Sequence, residues 1–185
     1  MSSPRAERGS GPDDDESPSG ITSVPPAYKP GDNIDDKYTL IRKIGEGGMG
    51  AVWVAHNNVL DVHCAIKLID LGTSSRDVSQ RLLDEARAAA KLGHASIVRV
   101  LDYGETTYND PFIAMELLDG EDLAMWMQRQ SQTDAILAVQ MLLPIAHALA
   151  TAHSKGIVHR DVKPENIFLA KDETVGTQPK LLDFG

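Results

Sequence analysis

Apolar positions along the first half of the chain fall in short, strand-like runs separated by turn residues. Tyr38-Thr39-Leu40-Ile41 leads into a glycine cluster, Ala51-Val52-Trp53-Val54-Ala55 follows it, and a turn is expected at Asn57-Asn58. Val62-His63-Cys64-Ala65-Ile66-Lys67-Leu68-Ile69 reads as a third strand, so the three runs predict a meander. The spacing then changes. Leu82, Ala86, Ala89 and Ala90 form a stripe at helical period and predict a helix over about 77–92, closed by Gly93. Two more strands are predicted at 97–101 and 111–117. Beyond Gly120 the pattern becomes helical, with Thr133 or Asp134 as cap of a long helix reaching about residue 154. Pro144 falls inside it, where it must kink the helix or remove one backbone hydrogen bond. Strands, a helix, strands and then helices predict an α+β chain with a small sheet lobe preceding a helical lobe.

Residues 1–33 lack this patterning. They are rich in Ser, Pro, Gly and Asp, with an acid run at Asp13-Asp14-Asp15-Glu16, and are expected to form a solvated tail. The 42% apolar and 24% charged composition of the whole chain is that of a globular protein, and 185 residues suffice for a buried core. A net charge of −9 argues against non-specific nucleic-acid binding and against docking on an anionic membrane. One cysteine, Cys64, can form no internal disulfide and is expected to be a buried apolar residue. The N-terminal residues carry no apolar run of signal-peptide type, and no membrane-spanning segment is expected, so the chain as given reads as cytoplasmic, with membrane anchoring left open for a longer parent.

The chemistry concentrates in four places. Gly45-Glu46-Gly47-Gly48-Met49-Gly50-Ala51-Val52 fits G-x-G-x-x-G-x-V. Dinucleotide-binding turns share the glycine spacing, but they open a helix, whereas a strand-like run follows here. That context favours a hairpin lid closing over phosphates. Lys67 ends an apolar strand in Cys64-Ala65-Ile66-Lys67, and its ammonium needs an anionic partner. Glu85, on the predicted helix, is the candidate that would hold it, with Asp84 as the alternative. His159-Arg160-Asp161-Val162-Lys163-Pro164-Glu165-Asn166 matches H-R-D-x-x-x-x-N at every fixed position, and Asp183-Phe184-Gly185 follows.

Together these motifs resemble the eukaryotic-like serine/threonine protein kinases, bacterial members above all, over about residues 34–185. The resemblance implies an ATP-binding lobe at 34–117, the start of a helical lobe at 118–185, and a nucleotide between them. Gly45, Gly47 and Gly50 would cover the phosphates. Val52 and Ala65 would line the adenine pocket from above and Phe168 from below, with Met115 at its back. Glu116 and Leu118 would present backbone groups to the adenine edge. Lys67, held by Glu85, would bind phosphate, and Asp161 would accept the proton of a protein Ser/Thr hydroxyl. Asn166 and Asp183 would hold Mg²⁺. His159 is expected to pack beneath Phe184. Lys163 has the position that marks serine/threonine rather than tyrosine kinases. Arg160 would pair with a phosphorylated residue in a following activation loop.

Two departures from the family pattern are expected to be harmless: a lengthened hairpin tip at 170–176, and Ala95-Ser96 where the family often has Pro-Asn. A third has consequences. The family's later large-lobe elements do not follow Gly185, which implies an apolar patch on the long helix and little activity from this polypeptide alone. Three readings therefore compete: a Ser/Thr kinase, a non-catalytic nucleotide-binding module, and a dinucleotide-binding oxidoreductase that rests on the glycines alone.

Overall fold

The computed structural model describes residues 28–47, 50–69, 87, 90–130, 132–174 and 176–184. Most of the helix expected over 77–92, with Glu85 and Asp84, lies outside them, as do residues 1–27.

Among the described residues, nine strands form two sheets. The larger one takes β1 (Asn33–Ile34), β2 (Tyr38–Gly47), β3 (Gly50–Asn57), β4 (Val62–Leu68), β5 (Val100–Glu105) and β6 (Pro111–Glu116), in the order β1-β2-β3-β4-β6-β5. Every pairing in it is antiparallel. The smaller sheet takes β7 (Gly120–Asp122), β8 (Ile167–Asp172) and β9 (Gly176–Leu181) in chain order. Two helices, α1 (Leu123–Arg129) and α2 (Ala135–Ser154), pack with it.

Period-two alternation gives the large sheet two different faces. Trp53 and Ala55 of β3, Cys64, Ile66 and Leu68 of β4, and Phe112 and Ala114 of β6 share one face and form the core with Ile34, Tyr38 and Leu40. The rings of Tyr38 and Phe112 meet edge to face, 5.8 Å between centroids. Burial pushes the Cys64 thiol up to about 11, so it packs as the inert apolar residue that its neighbours imply. The opposite face carries Val52, Val54, Ala65, Lys67, Ile113 and Met115, which are register partners of one another across the three strands.

The helix termini follow from their sequences. The Asp134 carboxylate accepts from the Ile136 amide at 2.7 Å, so of the two cap candidates the aspartate is used. At the other end Ile157 N–H donates to the Ala152 carbonyl and Gly156 N–H to that of His153, with Gly156 at φ 76°. This is a Schellman closure, completed by apolar contact of Ile157 with Ala152. Pro144 is tolerated within α2.

Several expectations need correction. The tail boundary at residue 33 is too late: Tyr28 Oη donates to Asp110 Oδ2 at 2.7 Å, and Gly31 N–H to the Leu40 carbonyl at 2.8 Å. A tyrosine that finds a buried carboxylate anchors chain whose local composition gives no sign of order. The strand expected at 97–101 lies instead at Val100–Glu105. Ile97 and Val98 are buried against β9, where Ile97 bridges Leu181 in parallel and Val98 N–H donates to the Leu181 carbonyl. One apolar run is thus shared between two lobes. The hairpin tip expected at 170–176 is shorter, because β8 continues to Asp172 and β9 begins at Gly176. Finally, α2 is long and apolar enough to cross a membrane by length and composition, contrary to the expectation of no such stretch. Its 20 residues contain no Asp, Glu, Lys or Arg, but one stripe, Met141, Ile145, Ala148 and Ala152, is buried in the two apolar clusters beneath the small sheet.

Candidate active site

The β2–β3 hairpin brings Gly45 opposite Val52 and Gly47 opposite Gly50. The glycines differ in what requires them. At Gly50, φ is 129° and a Cβ would lie 1.9 Å from the Leu68 carbonyl oxygen, so the fold itself excludes a side chain. At Gly47 nothing stands within 4 Å, which leaves the backbone open to close approach from outside the chain.

Val52, Ala65 and Lys67 sit on the face of the sheet away from its core, and Met115 is the register partner of Ala65 on the same face. Phe168 lies on the face of β8 opposite to Ile167 and Leu169, which are buried among Leu123, Met141, Ile145 and Leu181. Four residues expected around one flat ligand therefore project from the open sides of their sheets.

Lys67 Nζ stands 2.8 Å from Asp183 Oδ1. That contact joins the end of β4 to the segment after β9, so an ion pair bridges the two lobes there. Asp183 has φ 43°, and Arg160 has φ 64°; both are non-glycine residues in the left-handed region, one in each functional loop.

The loop after α2 is tied together around Asp161. Asn166 Nδ2 donates to the Asp161 carbonyl at 2.8 Å and to its Oδ2 at 2.9 Å, which leaves the amide oxygen as the atom able to coordinate a cation. Lys163 Nζ lies 2.7 Å from the same Oδ2. The Lys163 hydrogen bond holds the Asp161 carboxyl below the usual carboxylate range, helped by that from Asn166. Asp161 in turn raises the Lys163 ammonium above its ordinary value.

His159 is buried and makes no contact expected of a base. The Asp161 amide donates to His159 Nδ1 at 3.3 Å, so Nε2 carries the proton and donates to the Leu182 carbonyl at 2.7 Å. Its ring packs on Phe184, 4.7 Å between centroids. Leu182 N–H donates to the Asn166 carbonyl at 2.8 Å. These bonds set Asn166 and Asp183 side by side in the chain path, although 17 positions separate them (183 − 166).

The family description "Protein kinase domain" matches residues 38–185. The chain belongs to the protein kinase family. It is 38% identical over 149 residues to serine/threonine-protein kinase Pkn1 of Myxococcus xanthus, covering 80% of this chain and 21% of that protein. It is 39% identical over 160 residues to serine/threonine-protein kinase PknA of Mycobacterium tuberculosis, covering 84% of this chain and 36% of that one. A crystal structure of the Mycobacterium tuberculosis PknI kinase domain, a double mutant, superposes with a TM-score of 0.75 at 27% identity, over 85% of this chain and 62% of that one. The chain thus spans about a fifth to a third of the curated relatives it matches and under two thirds of the matched kinase domain.

In the kinase fold Glu116 does more than its sequence reading assigned. Besides its backbone position at the end of β6, its Oε1 accepts from the Arg99 amide and from Lys180 Nζ, each at 2.8 Å. Lys180 and this use of Glu116 escape sequence reasoning, since nothing local links positions 64 apart. Ser96, expected to be a harmless departure, is buried at the junction of the lobes, where its Oγ accepts from Gln178 Nε2 at 2.8 Å. Leu118 lies in the segment joining the lobes and is half-buried. Among the described residues no three His, Cys, Asp or Glu side chains converge as a metal-ligand set. Magnesium bound mainly through phosphate and one or two protein oxygens requires none.

Proposed function

We propose that this chain carries the ATP site and catalytic loop of a serine/threonine protein kinase that transfers the γ-phosphoryl group of ATP to a protein hydroxyl. The observation that carries the reading is two charged clusters: Lys67 with Asp183 across the lobes, and Asp161 with Lys163 and Asn166 within one loop.

Each residue has a role that its surroundings support. Gly47 leaves room for phosphate oxygens near the hairpin backbone, and Val52, Ala65, Met115 and Phe168 offer apolar surface for an adenine ring, with backbone groups of Glu116 and Leu118 at its edge. Lys67 would neutralise phosphate charge, with Glu85 as its further partner. Asp161 would orient the substrate hydroxyl and take its proton as the oxygen–phosphorus bond forms and the bond to the bridging oxygen breaks. Lys163 keeps Asp161 ionised and would sit against the transferring group. The Asn166 amide oxygen and the Asp183 carboxylate would hold Mg²⁺, which when bound offsets charge on the phosphates.

Ile136, Val139 and Leu143 of α2 are exposed and apolar, three and four positions apart along one face. A helix face of this kind supports low transfer activity for the 185-residue chain alone, with further chain or a partner needed to cover it. The alternative, a nucleotide-binding module without catalysis, makes the same use of the upper cleft. The deciding test is a pair of measurements: melting temperature with and without Mg·ATP, and phosphate transfer to a generic protein. A rise in melting temperature supports the nucleotide site, and its absence overturns it. Transfer that is lost in Asp161→Asn identifies the enzyme, in this chain or in a longer one containing it.

A further inference from the structure

The two lobes are joined along loop 91–99. Ser96 and Val98 exchange backbone hydrogen bonds with Leu181 at 2.9 and 3.0 Å, and Lys155 Nζ donates to the Lys91 carbonyl at 2.9 Å. Beside these lies a contact of another kind: His94 Nε2 is 2.8 Å from His147 Nδ1 of α2, with the rings tilted at 5.0 Å. The Ser96 amide donates to His94 Nδ1 at 3.0 Å.

The protons in this chain of bonds are determined. A backbone amide can only donate, so His94 Nδ1 must be bare and His94 Nε2 must carry the proton. His147 Nδ1 must then accept, which places the His147 proton on Nε2. With both rings neutral, these two bonds are satisfied together. An extra proton on the pair falls on His94 Nδ1 and faces the Ser96 N–H, while His94 Nε2 goes on donating to His147 Nδ1.

Among the described residues, no carboxylate is paired with either ring. On the loop side stand Lys91 and Arg99, and on and after α2 His153 and Lys155. Of the residues lining the cleft beside His94, Glu116 alone is acidic, and it is ion-paired with Lys180 at 2.8 Å.

We propose that His94 and His147 form a proton-sensitive clasp between loop 91–99 and α2, which holds the Ser96 turn when both rings are neutral and lets it go when a proton on His94 Nδ1 breaks the bond from the Ser96 amide. Losing that bond releases the Ser96 turn, and Ser96 holds Leu181, two positions before Asp183. Acid therefore loosens the junction of the lobes next to the candidate site. Burial, and then the charge of His147, pull His94 below the ordinary histidine range. The unfolded chain consequently binds more protons, and the clasp's contribution is complete above about pH 6.5 and lost as the pH falls toward the folded value.

The test is a nuclear magnetic resonance titration of the 185-residue chain from pH 8 to pH 5, following both imidazoles and the Ser96 amide. The expected result is a bare Nδ1 on His94 at pH 8, and movement of the Ser96 amide in step with the His94 ring. In His147→Gln, an exposed position, the His94 midpoint moves up. In His94→Asn, whose side-chain oxygen can accept from the Ser96 amide without titrating, the acid response of that amide disappears. A Ser96 amide that ignores the titration, a His94 midpoint unmoved by His147→Gln, or an acid response that persists in His94→Asn would each overturn the clasp.

Discussion

The Lys67 ammonium stands 2.8 Å from the Asp183 carboxylate, with the lysine side chain 18% exposed and the aspartate 46% exposed. The pair ties the end of β4 in the large sheet to the segment after β9. A contact so open to solvent adds little stability by itself, so its value lies in holding two ligand-binding groups at one point. Lys67→Met and Asp183→Asn are each expected to weaken Mg·ATP binding at least about tenfold, or about 1.4 kcal/mol. The fold should be left almost unchanged. Calorimetric titration, with melting temperature as the control for folding, checks both halves.

Asp161 shares its Oδ2 between Lys163 and Asn166. Its folded pKa is depressed, so the interaction is fully present above the unfolded value near 3.9 and is lost as the pH falls through the folded one. Lys163→Met should move the Asp161 carboxyl titration upward, toward the ordinary value, in a carboxyl-detected resonance experiment. No movement would separate Lys163 from the base. In a chain that transfers phosphate, Asp161→Asn should reduce the rate by about 10²–10⁴, the range of a lost general base.

Gly50 and Gly47 should respond oppositely to alanine. At Gly50 the new Cβ would meet the Leu68 carbonyl at 1.9 Å with φ at 129°, and Gly50→Ala should cost on the order of 1–3 kcal/mol in denaturant unfolding. At Gly47 nothing stands within 4 Å, and Gly47→Ala should leave unfolding nearly unchanged while weakening nucleotide binding. Equal losses of stability at the two positions would contradict this division.

The Glu116–Lys180 pair is mostly buried, with side chains 22% and 16% exposed, and the carboxylate also takes the Arg99 amide. Glu116→Gln keeps one acceptor for that amide and should cost about 1 kcal/mol. Glu116→Ala strands both donors and should cost about 1–3 kcal/mol. A double-mutant cycle with Lys180→Met measures how much of either loss belongs to the pair.

What could be read in the sequence, and what could not, divides by the range of the interactions. Strands β2, β3, β4 and β6 and the helix α2 were legible because burial of one face imposes a period that neighbouring residues carry. Lys67, Asp161, Asn166 and Asp183 were legible as types at set spacings, since phosphate chemistry admits few alternatives. The order of Tyr28 and the displacement of β5 to Val100–Glu105 were not, because a buried carboxylate at Asp110 and an edge at Leu181 decide them from far along the chain. The same holds for the partners of Glu116, Ser96 and His94. A hydrogen bond between positions 53 or more apart leaves no local pattern in either segment, and only packing of the two lobes brings its atoms within reach.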